Sequence, residues 1–162
     1  MPQYSYEPIG VIRSPYTASR GTPIQPAGAR DARGVVEVFE PFADGLLDID
    51  GFSHLILLYH FHISGPASLT VRPFMDDSDH GVFATRAPAR PNPIGLSIVR
   101  LAGVEGNLLH VLDVDVLDGT PLLDIKPHVE EFHVHGGERI GWLEGRVDRV
   151  GRKRDDGRFR DR

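Results

Sequence analysis

The chain has 162 residues, no cysteine, 40% apolar and 25% charged residues, and a formal net charge of −5. That is the length of one domain with room for a core, and without cysteine there is no disulfide, thiolate nucleophile or zinc–thiolate site. The longest apolar run, Leu55 to Ile63, holds two histidines and falls short of the roughly 18 to 20 residues that cross a bilayer; the first residues lack the pattern of a signal peptide, so a cytoplasmic location is expected.

Residues 6 to 13 predict a short strand, stopped by Ser14-Pro15. Residues 14 to 34 hold three Pro, three Gly and three Arg with little apolar periodicity. They predict a long loop, a feature that is usually functional or disordered. Val35 to Glu40 predicts a strand and Pro41 to Asp48 a helical turn. Phe52 to Ile63 places Leu55, Leu57, Tyr59 and Phe61 on one strand face, with His54, Ile56, Leu58, His60 and His62 on the other. Both faces are largely apolar, which predicts a central strand. Leu69 to Pro73 predicts a further strand, and Asp76 to Asp79 a polar turn. Gly95 to Val104 and Leu108 to Leu117 predict a hairpin around Glu105-Gly106-Asn107. Asp118-Gly119 marks a turn, Leu122 to Ile125 another strand, and Ile140 to Leu143 a small apolar patch. Strand signals dominate, so the expected fold is mainly all-β, a single closed or partly open barrel. Residues 1–145 are expected to form the domain and 146–162 a basic tail.

One stretch, Gly81 to Arg100, stands out. Pro88, Pro91 and Pro93 fix the backbone between Arg86 and Gly95. A stiff segment carrying Arg86, Arg90 and Asn92 suits a fixed set of donors for an anionic or planar ligand; a proline-rich turn with solvated arginines is the equal alternative. The Rossmann, Walker and nucleophile-elbow patterns are all missing, which argues against a doubly wound nucleotide-binding sheet. The eight histidines raise the question of a metal. A zinc site needs converging ligands, and His60, His62, His133 and His135 converge only if their segments pair; core or surface histidines are expected instead. Asp118 lies in a turn signal. Asp124 and Lys126, two apart on one strand face, suit an ion pair, with proton removal from an acceptor amine as the other role. Of 18 basic residues, 16 are Arg, and Arg146 to Arg162 holds eight basic residues against four Asp. Such a tail either contacts phosphates or is a solvated end, the second being expected. Arg13, Arg20, Arg30 and Arg33 form another basic group.

Five ordered blocks carry a resemblance. They are Ile9 to Tyr16, Gln25-Pro26, Gly51 to Leu55 running into Phe61-His62, the Gly81 to Arg100 stretch, and Leu117 to Pro127. Over roughly residues 4 to 129 the chain resembles the TsaA-like (TrmO) family of tRNA adenine-N6-methyltransferases. The resemblance implies a non-Rossmann β-barrel with a few short helices and S-adenosylmethionine as methyl donor. The acceptor it implies is N6 of N6-threonylcarbamoyl-adenosine, next to the anticodon of tRNA. It also implies a homodimer with the pocket near the subunit interface. Carried over by residue, cofactor contacts fall on Gln25, Pro26, Ala27, Phe61, His62, Arg86, Leu96, Leu117, Asp118, Gly119 and Thr120. Arg90, Asn92 and Lys126 are candidates for the substrate, and Asp118, Asp124 and Lys126 for catalysis. Arg86 is the candidate partner for the methionine carboxylate, and Arg90 or Lys126 for the threonyl carboxylate. No metal is expected. The Gln-Pro-Gly of many members is here Gln25-Pro26-Ala27-Gly28, the Tyr that often follows Lys-Pro is His128, and the second domain of longer bacterial members is expected to be missing. Alternatives are methylation of another small acceptor and a non-enzymatic module that binds S-adenosylmethionine or RNA.

Overall fold

Alternation in the most apolar stretch sets the architecture. Leu55, Leu57 and Tyr59 are 0–4% exposed, while the residues between them are half-exposed. The computed structural model describes residues 1–133, 136–137 and 139–159. Its strands are β1 (Gly10–Arg13), β2 (Arg33–Val38), β3 (His54–His60), β4 (Thr70–Val71), β5 (His80–Gly81), β6 (Ile94–Glu105), β7 (Leu108–Leu112) and β8 (Thr120–Pro127). Six of them close an antiparallel barrel in the order β1-β2-β7-β6-β3-β8, and β4 and β5 form a separate small pair. The central position expected for β3 holds, because it pairs with both β6 and β8. Helical structure among the described residues is limited to short 3-10 segments such as Pro26–Gly28 and Glu40–Leu46.

The barrel interior is aliphatic. Ile12, Val36, Leu55, Leu57, Leu109 and Leu122 are fully buried there, with Val38, Val99 and Val111 close to it. Closure also removes the exposed strand edges of an open sheet.

Two expectations change at the ends of the strands. The hairpin over β6 and β7 turns at Gly106, with φ of 60°, but β7 stops at Leu112 rather than running on to Leu117. Asp113 has a left-handed backbone, φ 70°. Its carboxylate accepts from the Asp31 backbone N–H and from both Nε and Nη2 of Arg100. This clamp turns the chain out of the sheet and ties down the end of the long loop. Residues 113–119 are thereby freed from the ladder. The first strand is also shorter than expected, since residues 6–9 precede the β1 ladder.

The basic segment after residue 145, expected to be a solvated end, is docked over its described part. Phe159 is 7% exposed and packs with Val71, Val82, Ala87 and Ala89. The backbone of Asp155 exchanges hydrogen bonds with Gly21 and Thr22, and Gly65 donates to the Phe159 carbonyl. Arg158 lies 5.0 Å over the Phe74 ring and donates to the Arg72 and Pro73 carbonyls. One aromatic anchor together with backbone pairing outweighs a composition that suits solvent. Arg160, Asp161 and Arg162 lie outside the described residues.

Candidate functional site

Between one end of the barrel, the long loop and the docked C-terminal segment lies a cavity of about 970 Å³. That is the upper end of the roughly 300–1,000 Å³ typical of small-molecule sites. The lining is mostly apolar, with Ile24, Phe61, Phe74, Pro88, Leu117 and Trp142 among its walls.

The proline-rich loop forms one side. Arg90 donates through Nη1 to the Thr85 and Ala87 carbonyls, so this arginine braces its own loop. Arg86 instead reaches across to the long loop and donates to Gln25 Oε1 at 2.9 Å. The Pro93 carbonyl accepts from the Phe61 N–H, which pins the loop's exit to the end of β3. His62 follows at the rim, where partial desolvation, with the His60 charge adding to it, lowers its pKa.

The inner wall holds a chain of hydroxyls. Tyr59 and Gly95 are cross-strand partners on β3 and β6. A Cβ at Gly95 would lie 2.1 Å from Tyr59 Cε2, so the ring occupies the space that only glycine leaves open. The Tyr59 hydroxyl lies 2.9 Å from Ser97 Oγ, and Ser97 Oγ donates to Asp115 Oδ1 at 2.6 Å. Since Ser97 spends its one proton on the carboxylate, Tyr59 is the donor in the other bond. Burial raises the Tyr59 pKa, which keeps the phenol protonated. Burial likewise pushes Asp115 up to about 6, with the Ser97 hydrogen bond and the Arg86 charge pulling the other way.

Of the residues singled out in the sequence, the cavity wall brings together Gln25, Phe61, His62, Arg86, Leu96, Leu117 and Thr120, with Arg90 and Asn92 beside them. Pro26, Ala27, Asp118 and Gly119 are outside the lining. Asp118 accepts from the Ser14 N–H and Gly119 sits at φ 77°, so together they shape the turn behind the wall. Asp124 and Lys126 form a partly exposed ion pair at 2.7 Å, also outside the lining. His133 lies beside His128, whose ring faces His54 at the opposite end of β3 from His60. His135 is outside the described residues. Among those residues, no group of three or more His, Cys, Asp or Glu side chains is placed to hold a metal.

Several lining residues carry no signal in the sequence. There, Asp115 is one more polar position in an alternating strand. Ser19 sits in the long loop at 5% exposure, and its Oγ has no hydrogen-bond partner among the described residues. Trp142, Val147, Val150 and Phe159 come from the C-terminal segment. The apolar run around Trp142 is the one hint of that contribution. Trp142 stacks on His80 at 4.5 Å and donates its indole N–H to the Ala84 carbonyl.

A closed antiparallel barrel with a polar-and-apolar cavity at one end defines a small-molecule-binding β-barrel. The family model of the tRNA-methyltransferase O N-terminal domain matches residues 11–134, and the chain belongs to that family. It is 58% identical over 154 residues to a probable S-adenosyl-L-methionine-binding protein of Pyrococcus abyssi, covering 95% of this chain and 84% of that protein. It is 40% identical to the tRNA (adenine(37)-N6)-methyltransferase of Escherichia coli, over 80% of this chain and 59% of that enzyme. The crystal structure of TrmO from Pseudomonas aeruginosa superposes with a TM-score of 0.71 at 40% identity, covering 86% of this chain and 62% of that one. The chain thus spans about three fifths of the length of these last two relatives.

Proposed function

We propose that the cavity binds S-adenosylmethionine and that the chain transfers its methyl group to N6 of threonylcarbamoyl-adenosine beside the anticodon of tRNA. The observation that carries this reading is convergence. Gln25, Phe61, His62, Arg86, Leu96, Leu117 and Thr120 come from separate stretches and meet on one cavity. The side chains suit the cofactor. Arg86 is the cation for a methionine carboxylate, and the apolar wall suits adenine. When bound, the cofactor supplies an electrophilic methyl carbon on a sulfonium. The protein's task is then alignment of the acceptor nitrogen and exclusion of water.

Partners follow from the surface. Arg149, Arg152 and Lys153 are exposed on the docked C-terminal segment, beyond the matched domain, and suit phosphates of tRNA. Ile94 and Leu96, 43% and 45% exposed on β6, suit the face of a homodimer next to the cavity. Among the described residues no helix is long and apolar enough to cross a membrane, and we place the activity in the cytoplasm, where tRNA is.

The test is incubation with S-adenosylmethionine and tRNA carrying or lacking the threonylcarbamoyl group, followed by mass spectrometry of nucleosides. A methylated product on the modified tRNA alone is expected. Methylation of another acceptor, or binding with no turnover, would replace this reading with a small-acceptor enzyme or a binding module; the archaeal relative is named only for binding.

A further inference from the structure

We propose that Asp115 is the proton acceptor of the methyl transfer, held in place by Ser97 and Tyr59. The inference rests on the reading of the cavity given above and goes beyond it, since none of the carried-over site residues includes these three.

The geometry begins with the lining. Its acidic residues are Asp115 and Asp155. Asp155 Oδ1 accepts from the Gly157 N–H and belongs to the C-terminal segment. Asp115 is set against the inner wall, and its Oδ1 is engaged by Ser97. Ser97 is the one other residue among those described that donates a hydrogen bond to this carboxylate; its remaining neighbouring donor is its own backbone N–H. Ser97 is 1% exposed and Tyr59 4%, so both side chains are buried. Their order is forced: the carboxylate accepts only, Ser97 gives it its proton, and Tyr59 gives its own to Ser97. Such a chain fixes the rotamer of a carboxylate that lines the cavity. A purely structural carboxylate inside a barrel would be expected to have both oxygens satisfied by the surrounding protein.

A cation that acts on Asp115 through its charge is Arg86, on the proline-rich loop, which is committed to Gln25 by a hydrogen bond. The groups that face Asp115 are therefore Tyr59 from β3, Ser97 from β6 and Arg86 from the loop. Burial keeps the carboxyl basic enough to accept a proton and still ionised near neutrality, which is the range a general base needs.

The step balances. The acceptor nitrogen forms a bond to the methyl carbon, and the carbon–sulfur bond breaks with its electron pair left on a neutral thioether. The N–H proton passes to Oδ2 of Asp115 and leaves to solvent after product departs. The sulfonium's positive charge is lost in the same step in which the carboxylate is neutralised, so no net charge is created in the cavity.

The experiment compares the wild-type chain with Asp115→Asn and Ser97→Ala. It reads the single-turnover methylation rate on threonylcarbamoylated tRNA against pH, S-adenosylmethionine affinity by calorimetry, and carboxyl titration by NMR in the ligand-free protein. The wild-type rate is expected to rise with pH through about 6, the value expected for Asp115, and then level off. Asp115→Asn is expected to lose about 100-fold or more in rate, with affinity changed by less than about threefold and no rising limb. Ser97→Ala removes the bond that lowers the Asp115 pKa, so both the NMR titration and the rising limb are expected to move to higher pH. An active Asp115→Asn with an unchanged pH profile overturns the proposal and leaves the methyltransferase reading intact. So does a tenfold loss of affinity with the rate at saturation preserved, which would make Asp115 a cofactor anchor. If Asp115→Asn does not fold, a Ser97→Ala profile that fails to follow its own NMR titration overturns it. A wild-type chain that binds the cofactor but methylates no tRNA overturns both.

Discussion

Arg86 and Arg90 lie four residues apart in one stiff loop, yet their surroundings give them different work. Arg90 closes its own loop through the Thr85 and Ala87 carbonyls, while Arg86 spans from that loop to Gln25. Arg86→Ala is therefore expected to lower S-adenosylmethionine affinity about ten- to hundredfold, the range of a charge-assisted contact of roughly 1.5–3 kcal/mol. Arg90→Ala is expected to cost less affinity and more thermal stability. Calorimetry and a melting curve on both variants separate them; equal small losses would remove Arg86 from the carboxylate. Gly95 gives a sharper case. Gly95→Ala puts a methyl group into the space of the Tyr59 ring. Either the ring or β6 must shift, and overpacking of this kind costs about 1–3 kcal/mol. A melting temperature that drops together with cofactor affinity is expected. An unchanged affinity would mean that Tyr59 moves without consequence for the cavity.

The docked C-terminal segment is held by a polar latch as well as by Phe159 in the small apolar cluster. Asp76 takes a 2.8 Å hydrogen bond with His80 and faces Arg146 at 3.4 Å, while the His80 ring stacks on Trp142. The His80 hydrogen bond, first among several causes, holds the Asp76 pKa below the usual carboxylate range. A depressed carboxylate pKa stabilises the docked state above its unfolded value, and that stabilisation is lost as pH falls through the folded one. The segment around Trp142 is thus expected to gain hydrogen-exchange rate as pH drops below about 4, while β3 and β6 keep their protection. Asp76→Asn is expected to loosen the same segment near neutrality and to flatten that response. Equal loosening of segment and barrel would show that the latch has no separate role.

At the level of the whole molecule, a segment outside the matched domain completes the cavity. Residues 142–159 supply part of its wall and pair with the long loop at Gly21 and Thr22. On composition alone, removing the chain from Gly151 onward is expected to leave cofactor binding intact. The docked structure reverses this. Truncation removes Asp155 and Phe159 and frees the loop that carries Gln25, so affinity is expected to fall by roughly tenfold or more, about 1.4 kcal/mol. Unchanged affinity would mean that the barrel and the proline-rich loop suffice. The same truncation removes Arg152 and Lys153. Each tRNA phosphate that the shortened chain no longer neutralises is expected to flatten the log–log salt dependence of binding by about 0.9 for a duplex or about 0.7 for a single strand, which titration at several salt concentrations measures.

What is local or periodic can be read along the chain. Alternation marks β3 and its buried face, Glu105-Gly106-Asn107 marks the hairpin turn, and the prolines between Arg86 and Gly95 mark a stiff loop. The ordered blocks point to the family. Tertiary structure decided what depends on distant partners. Asp113 ends β7 because Arg100 and Asp31 meet there, which no pattern within Leu108 to Leu117 signals. Asp118 and Asp124 are the acids legible from motifs, but both are engaged outside the cavity lining, Asp118 by the distant Ser14 N–H and Asp124 by its neighbour Lys126. Asp115 is illegible because its environment is made by Tyr59 and Ser97, residues 56 and 18 positions away that the pairing of β6 with β3 and β7 brings to it. The C-terminal segment looks solvated in the sequence for the same reason: net polarity describes a segment's average, whereas docking depends on one aromatic side chain finding a pocket already built by the rest of the chain.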